Sequence, residues 1–310
     1  KGTGLRYWNY DVNRAGWSAA RCNAFDDRRR ATTLTGYLGE TNLVFGTVTV
    51  TDYAILGVAT NVTLRYDRLV CDGCLTNMVT LYGGTVILPD SGRHFTNTNL
   101  RAFRENSRIE FAEGVADKTL VIGANCEFVC DYPCYVDGNL VVTNGGRIDH
   151  TTQDTTGTTY HVELDVAGNL HVAAGASVYA DTYGWYDIQS PGYAQEGDRR
   201  GGSHGGLASL ASGGVCYGSV TRPVLSGSPG RGGSFAGGGV IRLNVAGRTT
   251  IDGTVTANGA PYAYYPQGAG GSIWVTTGML GGTGAITANG GYGYNYNNVG
   301  GGGGRIAVWL

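Results

Sequence analysis

The chain has 310 residues, of which 42% are apolar and 15% charged, and its formal net charge is −2. The apolar fraction suffices for a sizeable core, while the low net charge excludes the chain-wide basic surface that nucleic-acid binding needs. No run of about 18 apolar residues occurs, so we expect no membrane-spanning segment. Glycine, at 54 residues, and tyrosine, at 20, are unusually frequent.

Residues 1–31 form the most charged part of the chain. The segment contains Trp8, Trp17 and the run Asp26-Asp-Arg-Arg-Arg30, and it shows no repeat. We interpret it as a cap or lead-in that precedes the repeating part.

From residue 32 onward, short segments with alternating apolar residues recur, and in the second half of the chain their spacing is nearly constant. Ile241, Ile273 and Ile306 open three such segments at nearly equal intervals. Gly-Asn-Leu at residues 138–140 recurs at residues 168–170. Alternation with period 2 predicts β-strands, and a regular spacing predicts that they belong to structural repeats.

Strands of about five residues cannot bury a face alone, but they can if each pairs in parallel with its equivalent in the next repeat. The sequence therefore predicts an all-β fold over residues 32–310, a right-handed single-stranded parallel β-helix with Gly/Tyr-rich loops on one side. Ala-Asn-Gly at 257–259 and 288–290 predicts tight corners, since Asn and Gly tolerate left-handed backbone angles. A β-sandwich is the main alternative.

Seven cysteines raise the question of disulfides or a metal. One CxxC is weaker than the paired CxxC units of structural zinc sites, so we expect no metal and no other cofactor. We favour disulfides among six of the residues: Cys22, Cys71, Cys74, Cys126, Cys130 and Cys134. Cys216 lies in a Gly/Ser-rich region, and we expect it to be free or to pair between chains.

Three excursions leave the repeats at one corner, over residues 182–239, 260–271 and 291–304, and should stack on one side. They are rich in tyrosine, at Tyr183, Tyr186, Tyr193, Tyr217, Tyr262, Tyr264, Tyr265, Tyr292, Tyr294 and Tyr296. Such rings can pack the loops together, form a protein interface, in which tyrosine is enriched, or stack on sugar rings. The sequence leaves all three interpretations open.

The same region resembles a known module. The stretches GGSHGG, GSPGRGG, GGGVIRLNVAGRTTIDGTVTANG, GAGGSIWVTTGMLGGTGAITANGG and GGGGGRIAVWL resemble the glycine-rich repeat module of large secreted bacterial parallel β-helix proteins. The resemblance covers roughly residues 201–310. It implies an extracellular β-helix and assigns no chemistry.

The best candidate for an active site is EGDRRGGSHGG, residues 196–206. A polysaccharide lyase needs a cation, a base and an acid, which could be Arg199 or Arg200, His204, and Tyr186 or Tyr217. Alternatively, the arginines pair with aspartate and His204 caps a glycine turn. We favour no catalytic residue.

Asn61-Val-Thr63 is a glycosylation candidate. No pair of carboxylates can be placed from the sequence as a glycosidase would require.

We therefore expect a secreted or cell-surface structural protein whose subunits stack head to tail into a filament or surface layer. The closing strand places Ile306, Val308, Trp309 and Leu310 at the stacking contact, covered by a further subunit or by further repeats. The principal partner is then the chain itself, with extracellular polysaccharide as a second. The alternatives are a polysaccharide lyase or other glycan-active enzyme, and a non-catalytic carbohydrate-binding module.

Overall fold

The structure, a computed structural model, describes residues 17–18, 31–34, 42–50, 55–71, 78–95, 99–152, 160–186, 189–193, 201–208, 214–230, 236–261, 267–292 and 300–310. These residues are all-β and contain no helix, and hence none long and apolar enough to cross a membrane. The strands are β1 (Trp17–Ser18), β2 (Ala31–Leu34), β3 (Asn42–Val50), β4 (Ile55–Ala59), β5 (Thr63–Cys71), β6 (Met78–Tyr82), β7 (Thr85–Leu88), β8 (Gly92–Phe95), β9 (Asn99–Arg104), β10 (Ser107–Phe111), β11 (Thr119–Ile122), β12 (Glu127–Cys130), β13 (Cys134–Val136), β14 (Asn139–Val142), β15 (Arg147–Asp149), β16 (Val162–Val166), β17 (Leu170–Val172), β18 (Ser177–Tyr179), β19 (Val240–Ile251), β20 (Thr254–Thr256), β21 (Ser272–Gly281), β22 (Ala285–Thr287) and β23 (Arg305–Trp309).

The strands form two parallel sheets. A nine-stranded sheet has the order β2-β4-β6-β9-β12-β15-β18-β20-β22. The 14-stranded sheet has two branches, β1-β3-β5-β7-β10-β13-β16 and β8-β11-β14-β17, which meet at the long strand β19 and continue through β21 to β23. Parallel pairing excludes the β-sandwich alternative, whose sheets are antiparallel.

The register of the sheets reproduces the sequence repeat. Val162 pairs with Ile241, Ile241 with Ile273, and Ile273 with Ile306. Leu140 pairs with Leu170, as the repeated Gly-Asn-Leu indicates. The period of the sequence therefore equals the number of residues that separate two hydrogen-bonded neighbouring strands. We refer to the part of the chain at one level of the sheets as a layer: residues 236–259, 268–290 and 300–310 are the last three.

One hydrophobic core runs through the layers and takes side chains from both sheets. Alternate strand residues point into it, as in β16, where Val162, Leu164 and Val166 are buried and the residues between them are half-buried. The largest fully buried side chains include Phe95 and Phe128. Stacking thus gives each short strand the buried face that it could not form alone.

The Ala-Asn-Gly corners do not use left-handed asparagines. Asn258 and Asn289 are absent from the residues with positive φ, whereas Asn61 (φ 62°) and Asn125 (φ 60°) are among them. The Asn258 side chain instead accepts a hydrogen bond from the Asn289 backbone N–H at 2.7 Å. Asp181 accepts from the Asn258 N–H in the same way at 2.6 Å. The prediction of the corner was correct in position but wrong in mechanism, because the side chains link successive layers.

Asn61, the glycosylation candidate, is exposed and lies in the turn before β5.

The prediction of disulfides is wrong for Cys130 and Cys134, which are free. Both are buried and fill inward-facing core positions as small apolar side chains. Cys126 is buried as well, and its thiol donates a hydrogen bond to the Phe95 carbonyl. Burial raises the pKa of Cys134 to about 12 and that of Cys130 well above its ordinary value. Cys216 is free and exposed. Cys22 and Cys74 lie outside the described residues, as does the side chain of Cys71.

The N-terminal segment is described only at β1 and Ala31, and β1 pairs in parallel with β3. Within the described residues, no group of three or more His, Cys, Asp or Glu side chains is placed to hold a metal ion.

Candidate functional site

The last described layer presents an open edge, which we call the end face: β22, β23 and residues 300–304. Within the described chain, β23 pairs only with β21, and β22 pairs only with β20. Each sheet therefore ends here in a strand that has a neighbour on one side.

Core-facing side chains are exposed on the end face. Ile306 is 45% exposed, whereas its register partners Ile273 and Ile241 are 0% exposed. Val308 is 40% exposed, and its partner Val275 is 0% exposed. The difference has one cause: the earlier residues are covered by the following layer, and these two are not.

The other two residues of the predicted stacking contact differ. Trp309 is 48% exposed, and its indole N–H donates to the Thr221 carbonyl at 2.9 Å. It therefore anchors the strand to the segment 214–230 rather than pointing into the core. Leu310, at 84% exposed, follows the strand and is the most exposed of the four. The Arg305 guanidinium adds a second anchor by donating to the Tyr217 carbonyl at 2.9 Å.

The backbone of β23, like its side chains, is covered on the side of β21 and open on the other side. The Arg305 N–H donates to the Gly271 carbonyl at 2.9 Å. Because consecutive residues of a parallel strand point their backbone groups to opposite neighbours, the N–H groups of Ile306 and Val308 point to the open side. The end face thus offers both apolar surface and unpaired hydrogen-bonding groups, the features that favour strand addition.

Beside β23 lies a set of glycine-rich segments that we call the glycine stack: residues 201–206, 225–230, 236–239, 268–271 and 300–304. Backbone hydrogen bonds join them, from Gly238 to Ala269 at 2.8 Å and from Gly270 to Gly302 at 2.9 Å. A Cβ placed on Gly304 would lie 2.1 Å from the Gly271 oxygen, closer than real side chains approach. The glycines predicted as loop residues therefore pack so closely that a side chain at Gly304 would meet the neighbouring backbone.

His204 and Tyr217 lie inside this stack. The His204 ring is fully buried and tilted against the Tyr217 ring, with centroids 4.7 Å apart. Its Nδ1 lies 2.8 Å from the Gly270 carbonyl, to which a neutral imidazole donates. Burial lowers the pKa of His204 to about 4 and raises that of Tyr217. Both groups are thus neutral near pH 7.

This arrangement gives a polysaccharide no access to His204, one of the residues named for a lyase. His204 and Tyr217 lie in contact with each other, whereas Tyr186 is 52% exposed. Arg199 and Arg200 lie outside the described residues. The pair His204–Tyr217 therefore fits a structural role, in which it fills the centre of the glycine stack.

The tyrosine-rich surface is described in part. The Tyr183 hydroxyl accepts a hydrogen bond from Arg147 at 2.6 Å, and its ring packs edge-on against Tyr179 with centroids 5.5 Å apart. Tyr186 and Tyr292 are exposed, at 52% and 73%. Tyr183 therefore matches the packing interpretation. Tyr262, Tyr264, Tyr265, Tyr294 and Tyr296 lie outside the described residues.

Sequence reasoning missed a row of aromatic side chains. Tyr82, Phe103, Tyr132 and Tyr160 meet edge to face, with successive centroids 5.6, 6.4 and 6.2 Å apart. All four are half-buried. The separation of roughly one repeat between neighbours was the available signal.

Two arginine–aspartate contacts were missed as well. Arg101 forms an ion pair with the buried Asp131 at 2.5 Å, and the Arg147 guanidinium donates to the Asp149 carboxyl at 2.7 Å. Burial, together with the neighbouring Glu127, raises the pKa of Asp149 to about 8. Arg147 and Asp149 are two residues apart on one strand, so their shared face could have been predicted.

No family model, curated protein or solved structure matches this chain. The geometry of the described residues therefore carries the functional inference. Of the features above, the end face combines exposed core-facing side chains with backbone N–H groups that point to its open side.

Proposed function

We propose that the chain is an extracellular structural protein, a right-handed single-stranded parallel β-helix whose copies stack head to tail through the end face. The observation that carries the proposal is the exposure of Ile306 and Val308, whose register partners are fully buried. The proposed hand follows the strong preference of parallel strand connections for right-handed crossovers.

The opposite end of the sheets supports the same arrangement. In the described residues the 14-stranded sheet begins with β1 and the nine-stranded sheet with β2, and each has one neighbour. A second copy in the same orientation would place its β1 beside β23 and its β2 beside β22, continuing both sheets in parallel. Such a contact joins two different surfaces and does not close on itself, so repetition gives a filament.

Covering the end face gives a favourable contribution to the free energy of association. Complete burial of a Val, Ile or Leu side chain contributes about 2 kcal/mol, so covering the exposed parts of Ile306, Val308 and Leu310 contributes roughly 3 kcal/mol. Each backbone hydrogen bond along β22 and β23 adds about 1 kcal/mol. These gains oppose the loss of translational and rotational freedom on association, so the whole edge must engage at once.

A matched pair of variants tests this proposal. Val308→Lys puts a charge on the stacking side of β23, whereas Ala307→Lys puts the same charge on its other side. We expect the unmodified chain and Ala307→Lys to form filaments in negative-stain electron microscopy and to sediment as concentration-dependent polymers. Val308→Lys should sediment as a monomer while keeping the β-sheet circular dichroism of the parent. Monomers at every concentration, or equal assembly of the two variants, contradict the proposal.

Binding of extracellular polysaccharide is a second candidate, favoured by the half-buried row of rings Tyr82, Phe103, Tyr132 and Tyr160. Aromatic rings present apolar faces on which sugar rings can stack, and the centroids of this row are 5.6, 6.4 and 6.2 Å apart. Affinity electrophoresis in gels containing neutral or acidic polysaccharides measures it. Tyr132→Ala should lose any retardation that Tyr135→Ala, in β13 of the 14-stranded sheet, retains. Absence of retardation in the parent chain would exclude this candidate for the glycans used.

A further inference from the structure

The half-buried rings of Tyr82, Phe103, Tyr132 and Tyr160, which we call the aromatic row, run along one corner of the fold. Each ring lies near the point where the chain passes from the nine-stranded sheet to the 14-stranded sheet, in four successive layers. Neighbouring strands lie about 4.8 Å apart, so the row extends about 14 Å across the strands, along the direction in which the layers stack. A ligand that contacts the whole row must therefore be an extended chain.

The row differs from the outward-facing rings on the two sheets, which arginines of the same chain cover. The Arg108 guanidinium lies 4.2 Å from the ring centroid of Tyr135, its register partner in the next strand. Two further pairs of this kind, at 4.1 and 4.7 Å, are Arg147–Tyr179 and Arg242–Trp274. Among the described residues, no guanidinium lies over the ring of Tyr82 or Tyr132.

The hydroxyls of Tyr82 and Tyr132 are available as well. Within the described chain, no group hydrogen-bonds to either hydroxyl, and neither oxygen is among the buried unpaired atoms, so both face water. Each ring thus combines apolar aromatic surface with a solvated polar end. A sugar residue has the matching chemistry, because its ring carries apolar C–H faces and is bordered by hydroxyl groups.

The charges beside the row are compensated within the chain. The Arg101 guanidinium lies 4.5 Å from the ring centroid of Phe103 and forms an ion pair with the buried Asp131. Arg104 and Glu105, which follow Phe103 directly, are both exposed and carry opposite charges. An acidic glycan would therefore meet no excess of positive charge here, and the row favours a neutral glycan.

We propose that the aromatic row is a binding site for a neutral, linear polysaccharide that runs along the stacking direction of the layers. The inference rests on the second candidate function above and specifies the charge, the direction and the minimum length of its ligand. The edge-to-face contacts hold the rings in place before the ligand arrives, so binding costs little side-chain freedom. Each further sugar residue that engages a ring adds affinity until the ligand reaches across all four layers.

Isothermal titration calorimetry tests the proposal with neutral linear oligosaccharides derived from cellulose, mannan and xylan, from the disaccharide to the hexasaccharide. The protein is kept at concentrations where sedimentation shows monomers. At least one of the three series should bind, with an affinity that rises about two- to tenfold for each further ring engaged and levels off once the oligosaccharide spans the row. The hexasaccharide of galacturonate should bind more weakly than the neutral hexasaccharide.

A matched pair of variants locates the site. Tyr82→Leu keeps an apolar side chain at one end of the row but removes its ring, whereas Tyr135→Leu removes a ring that Arg108 already covers. Tyr82→Leu should weaken hexasaccharide binding about two- to tenfold and disaccharide binding by less than about twofold, because a disaccharide can use the remaining rings. Tyr135→Leu should change neither. Tyr160→Leu, at the other end of the row, should behave as Tyr82→Leu and repeats the test if that variant does not fold.

Four results would overturn the inference: no binding of any neutral oligosaccharide, equal affinities for the disaccharide and the hexasaccharide, tighter binding of the galacturonate hexasaccharide, or equal effects of the two matched variants. Retardation in polysaccharide gels without any dependence on oligosaccharide length would contradict the inference alone and leave the second candidate function standing. Monomers that bind the hexasaccharide as expected but never polymerise would contradict the proposed self-assembly alone.

Discussion

Truncation of two register partners gives the sharpest stability test of the end face. Ile273 and Ile306 are paired neighbours in the same sheet, and both point toward the core. Ile273→Ala and Ile306→Ala remove the same atoms from equivalent positions of successive layers. The two variants therefore differ only in whether a following layer covers the side chain.

The structure sets the expected magnitudes. Ile273 is 0% exposed, so its truncation should lower the free energy of unfolding by about 3–4 kcal/mol, within the usual range for buried Ile→Ala changes. Ile306 is 45% exposed and should lose about half as much, roughly 1.5–2 kcal/mol. If a further layer docks at high protein concentration, the loss at Ile306 should rise toward that at Ile273.

Urea unfolding followed by circular dichroism measures both values, first at concentrations where the chain is monomeric. If the free energy of unfolding falls with urea concentration at a similar slope in the two variants, both expose the same amount of surface on unfolding. Equal destabilisation of the monomer by the two substitutions would refute the reasoning, because Ile306 would then be covered within its own chain.

Two further predictions concern buried ionisable groups. His150 and His204 have a pKa lowered by burial to about 4, so the unfolded chain takes up protons that the folded chain does not, and stability should fall as pH drops from about 6.5 to about 4. The pKa of Asp149 is raised to about 8 by burial and by its neighbouring carboxylate, so stability should also fall between pH 6.5 and 8, by up to about 1.4 kcal/mol per pH unit. Urea unfolding across this range should show the second decline in the parent and not in Asp149→Asn, and a flat parent profile above pH 6.5 would contradict it. Iodoacetamide labelling mapped by mass spectrometry should modify the exposed Cys216 quickly and the buried Cys130 only on unfolding, and comparable rates would show that the core thiol is accessible.

The repeating part of the fold was predictable because parallel pairing preserves the sequence period. Ile241, Ile273 and Ile306 are equivalent in sequence and prove to be neighbours in the sheet. The period does not fix where the connections of a repeat pack. The glycine-rich segments were therefore predicted to be loops. Glycine has no side chain, so these segments show no apolar alternation that would indicate ordered packing.

The candidate site was predictable to a similar degree. The apolar alternation of β23 identified Ile306 and Val308 as residues in need of cover. Trp309 was grouped with them, although its indole anchors the strand to Thr221.

Hydrogen exchange at two adjacent amides tests the central claim, that β23 is an open edge which takes up a further parallel strand. In the monomer, the Ala307 N–H is directed at β21 and should exchange slowly, while the Val308 N–H is directed at the open side and should exchange at close to the rate of an unstructured chain. Raising the protein concentration should slow hydrogen exchange at the Val308 N–H and leave that at the Ala307 N–H unchanged. Slow exchange at Val308 in the monomer, or fast exchange there under every condition, would contradict the account.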